Sequence, residues 1–245
     1  MYKGFVIGKD TIANLPPILL KLQEHTEYSL SAKSTANAIE VAKEEVKREI
    51  LGRNGVIDAD KVMNACMPQD EEFDIFISHS HADVKYANKL ADYIFKKFGL
   101  KCFIDSNYWL NSVVDLQKPF DRKYKDPNSK LQYSDILAST AHVHAMLSMS
   151  LLKMMNSCEC CIFIRPDEKY IPTDSVYSPW IYEEIIMFNY IEKIAPRPIA
   201  ITESFSQKPK FVYRCDLSNM SELTLPNMNL GLYGFNWLDY LYKNK

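Results

Sequence analysis

From residue 73 onward, short apolar runs alternate with helical repeats along the chain. Phe73 to Ile77 is an apolar run that ends abruptly in polar residues. An amphipathic repeat follows, with Asp83 as a predicted cap, apolar side chains three and four positions apart, and Gly99 at its end. Lys101 to Ile104 is the next apolar run. A strand, a helix and a strand in so short a segment predict a βαβ unit, in which both strands are parallel and end at the same edge of the sheet.

The alternation continues in the C-terminal part of the chain. Ser178 and Pro179 are typical of a helix start, and the pattern predicts a helix from there to about Lys193. The other predicted elements are a helix at 141–155 and strands at 160–164, 198–201 and 211–215. Together these elements predict an α/β fold with a parallel sheet, and ligands bind such sheets outside the carboxyl ends of the strands.

The first 68 residues have a different pattern. Ser34 can cap an amphipathic helix that ends at Gly52, and a second short helix is predicted between Asp58 and Pro68. We therefore expect a helical extension over residues 1–68, followed by an α/β domain with a C-terminal tail over residues 69–245.

Composition narrows the possible functions. The chain has 245 residues, of which 47% are hydrophobic, and a formal charge of -2, so we expect a globular protein without the basic surface that tracks nucleic acid. It has only seven glycines and neither of the usual phosphate-cradling glycine motifs. No apolar run is long enough to span a membrane, and the start lacks the apolar core of a secretion signal, so a cytoplasmic location is expected. The six cysteines lie mostly in apolar runs and are interpreted as reduced core residues.

Trp180 and Glu184 are the first candidates for a ligand site. They are four positions apart at the start of a predicted helix, so both side chains share one face. A carboxylate beside a ribose can stabilise the positive charge that develops on the anomeric carbon when a base departs. The alternative interpretation of Glu184 is a solvated helix glutamate that interacts with the helix dipole.

Polar residues that follow the first two strands of the βαβ unit are the second group of candidates. Ser78, His79 and Ser80 could donate hydrogen bonds to a phosphate or an amide, or could simply cap the turn. Asp105 ends the second strand, and the long polar segment 106–134 that follows contains Trp109. No metal site is expected, because neighbouring histidines such as His142 and His144 point about 200° apart on a helix.

Three segments carry a resemblance to a known family: FDIFISHSHAD from Phe73, LADYIFKKFGLKCFIDS from Leu90, and SPWIYEEI from Ser178. In this order and spacing they resemble the Toll/interleukin-1 receptor (TIR) domain over roughly residues 70 to 215. Trp180 and Glu184 match the WxxxE pattern of that family. Among TIR proteins, the chain looks most like the bacterial Thoeris-type antiphage defence proteins.

The resemblance implies a flavodoxin-like, doubly wound parallel sheet of about five strands, and an activity on NAD. Related enzymes break the nicotinamide–ribose bond and release ADP-ribose, a cyclic variant or another ADP-ribosyl signal. NAD is then a substrate, and no cofactor is implied. By matching positions, Glu184 would be catalytic, and the substrate would be bound by Ser78, His79, Ser80, Asp105, Ser106, Trp109 and Trp180. The resemblance also implies self-association through TIR domains and a downstream effector that responds to the nucleotide product.

The chain departs from the family pattern in two places. The segment after Ser106 is longer than the usual TIR loop. Several TIR enzymes have basic or aromatic residues after the first strand, whereas this chain has Ser80 and His81, a difference that bears on pyrophosphate binding.

Two other functions fit the same residues. A non-catalytic TIR adaptor would bind other TIR domains through the 106–134 segment and its helices, and it would have no need of Trp180 and Glu184. A glycosidase or transferase that acts on nucleosides could use the same crevice and the same glutamate.

Overall fold

The computed structural model describes residues 2–17, 44, 57–67, 69, 71–109, 117–118, 121, 133–165, 176, 178–193 and 220–243. The chain divides into two compact units. The first unit comprises Met1–His25, Phe73–Ile104 and Met155–Lys245, and the second comprises Thr26–Glu72 and Asp105–Met154.

A five-stranded parallel sheet forms the centre of the first unit. Its strands are β1 (Lys3–Ile7), β2 (Ile75–Ser78), β3 (Cys102–Phe103), β4 (Cys160–Ile164) and β5 (Met220–Glu222), in the order β3-β2-β4-β1-β5. With helices packed on it, this sheet confirms the predicted α/β, flavodoxin-like fold. Strands β1 to β4 are fully or largely buried, which agrees with the near-continuous apolar runs of the sequence, whereas β5 is only partly buried.

The position of β1 corrects the predicted domain organisation. Residues 3–7 pair with β4 on one side and with β5 on the other, so the prediction of a helical extension over residues 1–68 is wrong at its start. Counted from β2, the spatial order is the 2-1-3-4-5 of flavodoxin-like sheets, with the N-terminal strand in fourth place. The two strands predicted at 198–201 and 211–215 lie outside the described residues.

Helices cover both faces of this sheet. The helices of the first unit are α1 (Lys9–Ala13), α3 (Val84–Phe98), α6 (Pro179–Tyr190), α7 (Leu225–Met228) and α8 (Phe235–Lys243). On one face, Tyr242 of α8 stacks on Phe5 of β1, and Trp237 of α8 stacks on Phe98 of α3 with 4.0 Å between the ring centroids. On the opposite face, α6 packs on β1 and β4. Gly99 ends α3 in the left-handed conformation, as predicted, with φ 72°.

The second unit is helical where it is described. It contains α2 (Ala59–Cys66), α4 (Asp105–Tyr108) and the part of α5 (Tyr133–Ser157) up to Met154. Helix α2 follows Asp58 as predicted, and the Asp58 side chain caps it by accepting a hydrogen bond from the backbone N of Lys61. The prediction of a loop over residues 106–134 is wrong at both ends. Residues Asp105–Tyr108 are helical, and α5 begins at residue 133 rather than 141. The helix predicted between Ser34 and Gly52 lies outside the described residues, apart from Glu44, which is helical.

Within the described part of the chain, no helix has both the length and the apolar composition needed to cross a membrane. Five of the six cysteines are described, and all five are free and buried, as predicted: Cys66, Cys102, Cys158, Cys160 and Cys161.

Candidate active site on the α6 face of the sheet

Helix α6 begins where the sequence predicts. The Ser178 hydroxyl accepts a hydrogen bond from the backbone N of Ile181 at 3.4 Å, and Pro179 occupies the first turn, where its missing N–H has no cost. The helix then runs to Tyr190, somewhat short of the predicted end at Lys193.

Gly4 allows α6 to approach the sheet closely. A Cβ atom at Gly4 would lie 2.5 Å from Cζ of Phe188, so only glycine leaves room for this ring. The same ring packs edge-on against Phe163 of β4, with 5.8 Å between the centroids. Glu184 lies one turn before Phe188 on the helix, so the packing of Phe188 against the sheet also determines how deeply Glu184 is buried.

Glu184 is buried against the sheet. Its exposed fraction is 5%, so the interpretation of a solvated helix glutamate is wrong. Cys161, the partner of Gly4 in β4, lies close enough to respond to its charge: burial raises the pKa of the Cys161 thiol well above its usual value, and Glu184 adds to the rise. Glutamate side chains are seldom buried to this degree in folded proteins, so the position of Glu184 is unusual for a helix glutamate. Trp180, one turn earlier, is half-buried.

Ser78 is on the same face of the sheet as α6. It pairs with Phe163, whose ring contacts Phe188, and paired residues of parallel strands point the same way. Ser78 is 2% exposed, and its hydroxyl has no hydrogen-bond partner among the described residues. His79, directly after the strand, is also buried.

Ser80 stabilises the turn after β2, which agrees with the alternative interpretation that the polar residues there cap the turn. Its hydroxyl donates to Oδ2 of Asp83 at 2.5 Å. The prediction that Asp83 caps α3 through its side chain is wrong, because its carboxylate instead accepts from Ser80 and pairs with Nζ of Lys9 at 2.6 Å. Lys9 follows β1, so this pair ties the carboxyl end of β1 to the turn after β2.

Asp105, Ser106 and Trp109 belong to the second unit. Oδ1 of Asp105 accepts a hydrogen bond from the backbone N of Ser106 at 2.7 Å, and the backbone O of Asp105 accepts from the backbone N of Trp109 at the same distance. The Trp109 side chain is buried, so the prediction of a polar loop position for it is wrong. Within the first unit, Glu184 and Ser78 lie on the same face of the sheet, and Trp180 lies one turn from Glu184 on α6.

Two cations at the carboxyl edge of the sheet were missed by the sequence reasoning. Lys9 follows β1, and Arg165 follows β4, where its backbone N donates to the O of Ile7 at 2.9 Å. Nη1 of Arg165 lies 3.7 Å from Oε1 of Glu222, at the end of β5. A sequence signal for both residues was available, because each is a basic residue just after an apolar run. Lys9 comes two positions after the run Phe5 to Ile7, and Arg165 directly follows the run Cys160 to Ile164.

A cavity of about 310 Å³ lies elsewhere in the first unit, and none of its lining residues is a predicted site residue. It is lined by Leu15, Pro16, Pro17, Lys89, Asp92, Tyr93 and Lys96. In the described ranges, no group of three histidine, cysteine or acidic side chains is arranged to hold a metal ion.

No protein-family model, no curated protein and no solved structure matches this chain. The likeness to TIR domains therefore depends on the chain's own segments and on the position of Glu184.

Proposed function

We propose that this protein is a TIR-type enzyme that cleaves NAD between nicotinamide and ribose, with Glu184 as the catalytic carboxylate. The observation that carries the proposal is the burial of Glu184 on α6, on the same face of the sheet as Ser78. A glutamate in the first turns of a helix is ordinarily solvated, so one that is buried against the sheet supports a chemical role.

The reaction needs a negative charge beside the ribose. When the glycosidic C–N bond breaks, the electron pair goes to the pyridinium nitrogen, which becomes neutral, and positive charge develops on the anomeric carbon. A fixed carboxylate stabilises that charge, and does so more strongly where water is excluded. Water then attacks the carbon and loses a proton, which gives ADP-ribose; attack by a group of the same molecule gives a cyclic product, and attack by a foreign acceptor gives a conjugate.

Trp180 supports the same proposal. It lies one turn from Glu184 towards the start of α6, where an indole can form the wall of a pocket for the planar nicotinamide. Ser78 offers a hydroxyl on that face of the sheet. By the resemblance to Thoeris-type proteins, the product is proposed to be a signal to an effector in antiphage defence.

The test compares the wild type with Glu184→Gln. The purified proteins are incubated with NAD, and the products are separated by chromatography and weighed by mass spectrometry. We expect Glu184→Gln to release nicotinamide at least on the order of 10² to 10³ times more slowly, because it loses the stabilising charge. Glu192→Gln is the matched control, since this exposed glutamate lies just beyond α6 and its change should leave the rate within about twofold. Full turnover by a folded Glu184→Gln protein would contradict the proposal.

A non-catalytic TIR adaptor is the second candidate, and one observation favours it. Several apolar side chains of α5 in the second unit are exposed, namely Ile136, Leu137, Met149 and Leu152. At about 100° per residue, Leu137, Met149 and Leu152 lie within about 120° of one another around α5, and exposed apolar side chains on one face are typical of association surfaces. Leu137→Lys with Met149→Lys would abolish association in an adaptor, as measured by light scattering, whereas Glu184→Gln would leave association intact.

A further inference from the structure

Lys193 lies just beyond the end of α6, and its side chain turns back onto the helix. Its ammonium group donates a hydrogen bond to the backbone O of Phe188. Carbonyl groups in the last turn of a helix have no donor within the helix, and a cation at this end also interacts favourably with the helix dipole. Lys193 therefore caps the C-terminal end of α6. It belongs to none of the sequence segments that carry the TIR resemblance.

The same ammonium group lies over the ring of Phe188. The distance from Nζ to the ring centroid is 3.5 Å, well inside the roughly 6 Å over which a cation is attracted to the face of an aromatic ring. Lys193 is only partly exposed, so water competes less for its charge than at an open surface. One ammonium group thus contacts both the ring and the carbonyl of Phe188, and it fixes the side chain relative to the backbone.

Three parts of the first unit hold the Phe188 ring. Gly4 of β1 meets its Cζ edge, Phe163 of β4 packs against it edge-on, and Lys193 covers a face. The two strands determine how closely α6 approaches the sheet, whereas Lys193 acts from the end of the helix itself. Without Lys193 the last turn of α6 would be free to loosen and the ring to turn. Glu184, one turn before Phe188, would then lose its fixed position.

The ionisable groups around Lys193 do not neutralise its charge. Burial lowers the pKa of Lys193 to about 8, and the group that acts against this is the thiol of Cys161 on β4. Burial raises the pKa of that thiol well above its usual value, with a further rise from Glu184 on α6, so the thiol stays neutral. Strand β1 faces the cluster with Gly4, which carries no charge, and the neighbouring Glu192 is exposed. The ring and the carbonyl of Phe188 are therefore the contacts of this charge within the described ranges.

The contacts of Lys193 and the burial of its charge have opposite effects on the stability of the protein. The hydrogen bond and the ring favour the folded state, whereas the partial removal of the charge from water disfavours it. Because its pKa is lowered, the folded protein releases this proton before the unfolded chain does, so burial of the charge is a cost below about pH 8. We therefore expect Lys193 to contribute little to the free energy of unfolding and to act mainly on the position of Phe188.

We propose that Lys193 is a positioning residue for Glu184: it holds Phe188 and the last turn of α6, so that the carboxylate stays at a fixed depth against the sheet. This inference rests on the proposed function for the role of Glu184 in the reaction. It assigns Lys193 no contact with the substrate. It requires that the charge of the side chain, and not merely its bulk, determines the rate of the catalytic step.

The first experiment measures kcat, KM and the urea midpoint of the wild type and of Lys193→Met, which keeps the bulk without the charge. We expect kcat on NAD to fall about 10-fold and KM to change less than about twofold, with the urea midpoint unchanged. Lys89→Met is the matched control, because Nζ of Lys89 also donates to a backbone O, that of Ala13 at 2.9 Å, and its kcat should stay within about twofold of the wild type. An unchanged kcat in Lys193→Met, or a fall no larger than its unfolded fraction explains, would overturn the inference.

The second experiment uses pH to separate the charge of Lys193 from its shape. In the wild type, kcat should fall as the pH rises through about 8, because Lys193 loses its proton and with it the attraction to the ring. Lys193→Arg remains charged throughout this range, so its kcat should stay level to a pH at least about one unit higher. Profiles of kcat between about pH 6 and 10 measure the difference. Identical profiles for the two proteins would contradict the proposed role of the charge.

A third experiment, which needs no NAD, separates this inference from the proposed function. Amide hydrogen exchange is measured in the wild type and Lys193→Met. The backbone N of Ile191, which donates to the O of Met187, should exchange about 10-fold faster in the variant, whereas the amides of α3 should exchange alike in both proteins. If the wild type does not cleave NAD but shows this difference, the proposed function fails and the anchoring of α6 by Lys193 stands. If it cleaves NAD but the end of α6 exchanges equally in both proteins, the inference is overturned.

Discussion

Replacing Gly4 by alanine tests whether the contact between β1 and α6 positions Glu184. The new Cβ would lie 2.5 Å from Cζ of Phe188, with the neighbouring ring carbons at 2.9 and 3.0 Å. Carbon atoms in contact are about 3.5–4.0 Å apart, so the ring or the whole helix must move by roughly 1 Å. Phe188 is fully buried and already packs on Phe163, so the ring has little room to turn away.

The expected cost follows from this overlap. Overpacking a buried site destabilises a protein by about 1–3 kcal/mol, and a shift of about 1 Å at a catalytic group can lower the rate about 100-fold. We therefore expect Gly4→Ala to lower the free energy of unfolding by about 1–3 kcal/mol in urea titrations, and to lower NAD turnover more than the fraction unfolded explains. Gly4→Ala combined with Phe188→Leu should recover part of the stability, because the shorter side chain vacates the position of Cζ.

Gly8→Ala is the matched control, in the same strand-to-helix segment. No atom outside its immediate neighbours lies within 4 Å of a Cβ at Gly8, and its φ of -81° and ψ of 150° suit any residue. Its stability should stay within about 1 kcal/mol of the wild type, because the lower entropy of the unfolded chain offsets the loss of a glycine cap. If the Gly4→Ala protein is as stable as Gly8→Ala, the close contact of Gly4 with Phe188 does not determine the position of α6.

Two further predictions concern the stability of the first unit. Lys9→Met should lower the free energy of unfolding by about 3 kcal/mol, because it leaves the buried carboxylate of Asp83 without its cation. In the same urea titration, the double variant Lys9→Met with Asp83→Leu should recover most of that loss. If Lys9→Met alone is as stable as the wild type, the ion pair is dispensable. The free energy of unfolding should also fall as the pH rises above about 9. Burial raises the pKa of Cys158 to about 12 in the folded protein, while the unfolded thiol keeps its ordinary pKa of 9.0. The unfolded chain therefore loses this proton first, and the contribution of Cys158 to stability is lost progressively between the two pKa values. Urea titrations between pH 8 and 11 measure this slope, and Cys158→Ala should reduce it; an unchanged slope would show that this thiol does not contribute.

Local patterns in the sequence determined much of the first unit. The βαβ unit of β2, α3 and β3, the strand β4 and the start of α6 all lie close to their predicted positions. Each depends on interactions between near neighbours: the helical repeat up to Gly99, the left-handed glycine that ends it, and the Ser178 hydroxyl that caps α6. Asp83 shows the limit of this reasoning, because Lys9, which is distant in sequence, binds the carboxylate that a local rule assigns to the helix cap.

Only the tertiary structure decided where β1 lies and what surrounds Glu184. The apolar run of β1 is short, and its place between β4 and β5 depends on hydrogen bonds with segments more than 150 residues away. The depth of Glu184 depends on Gly4 and Phe163, neither of which adjoins it in sequence. Periodicity and capping describe a residue's neighbours along the chain, whereas burial and charge pairing depend on partners that meet only after the strands have assembled.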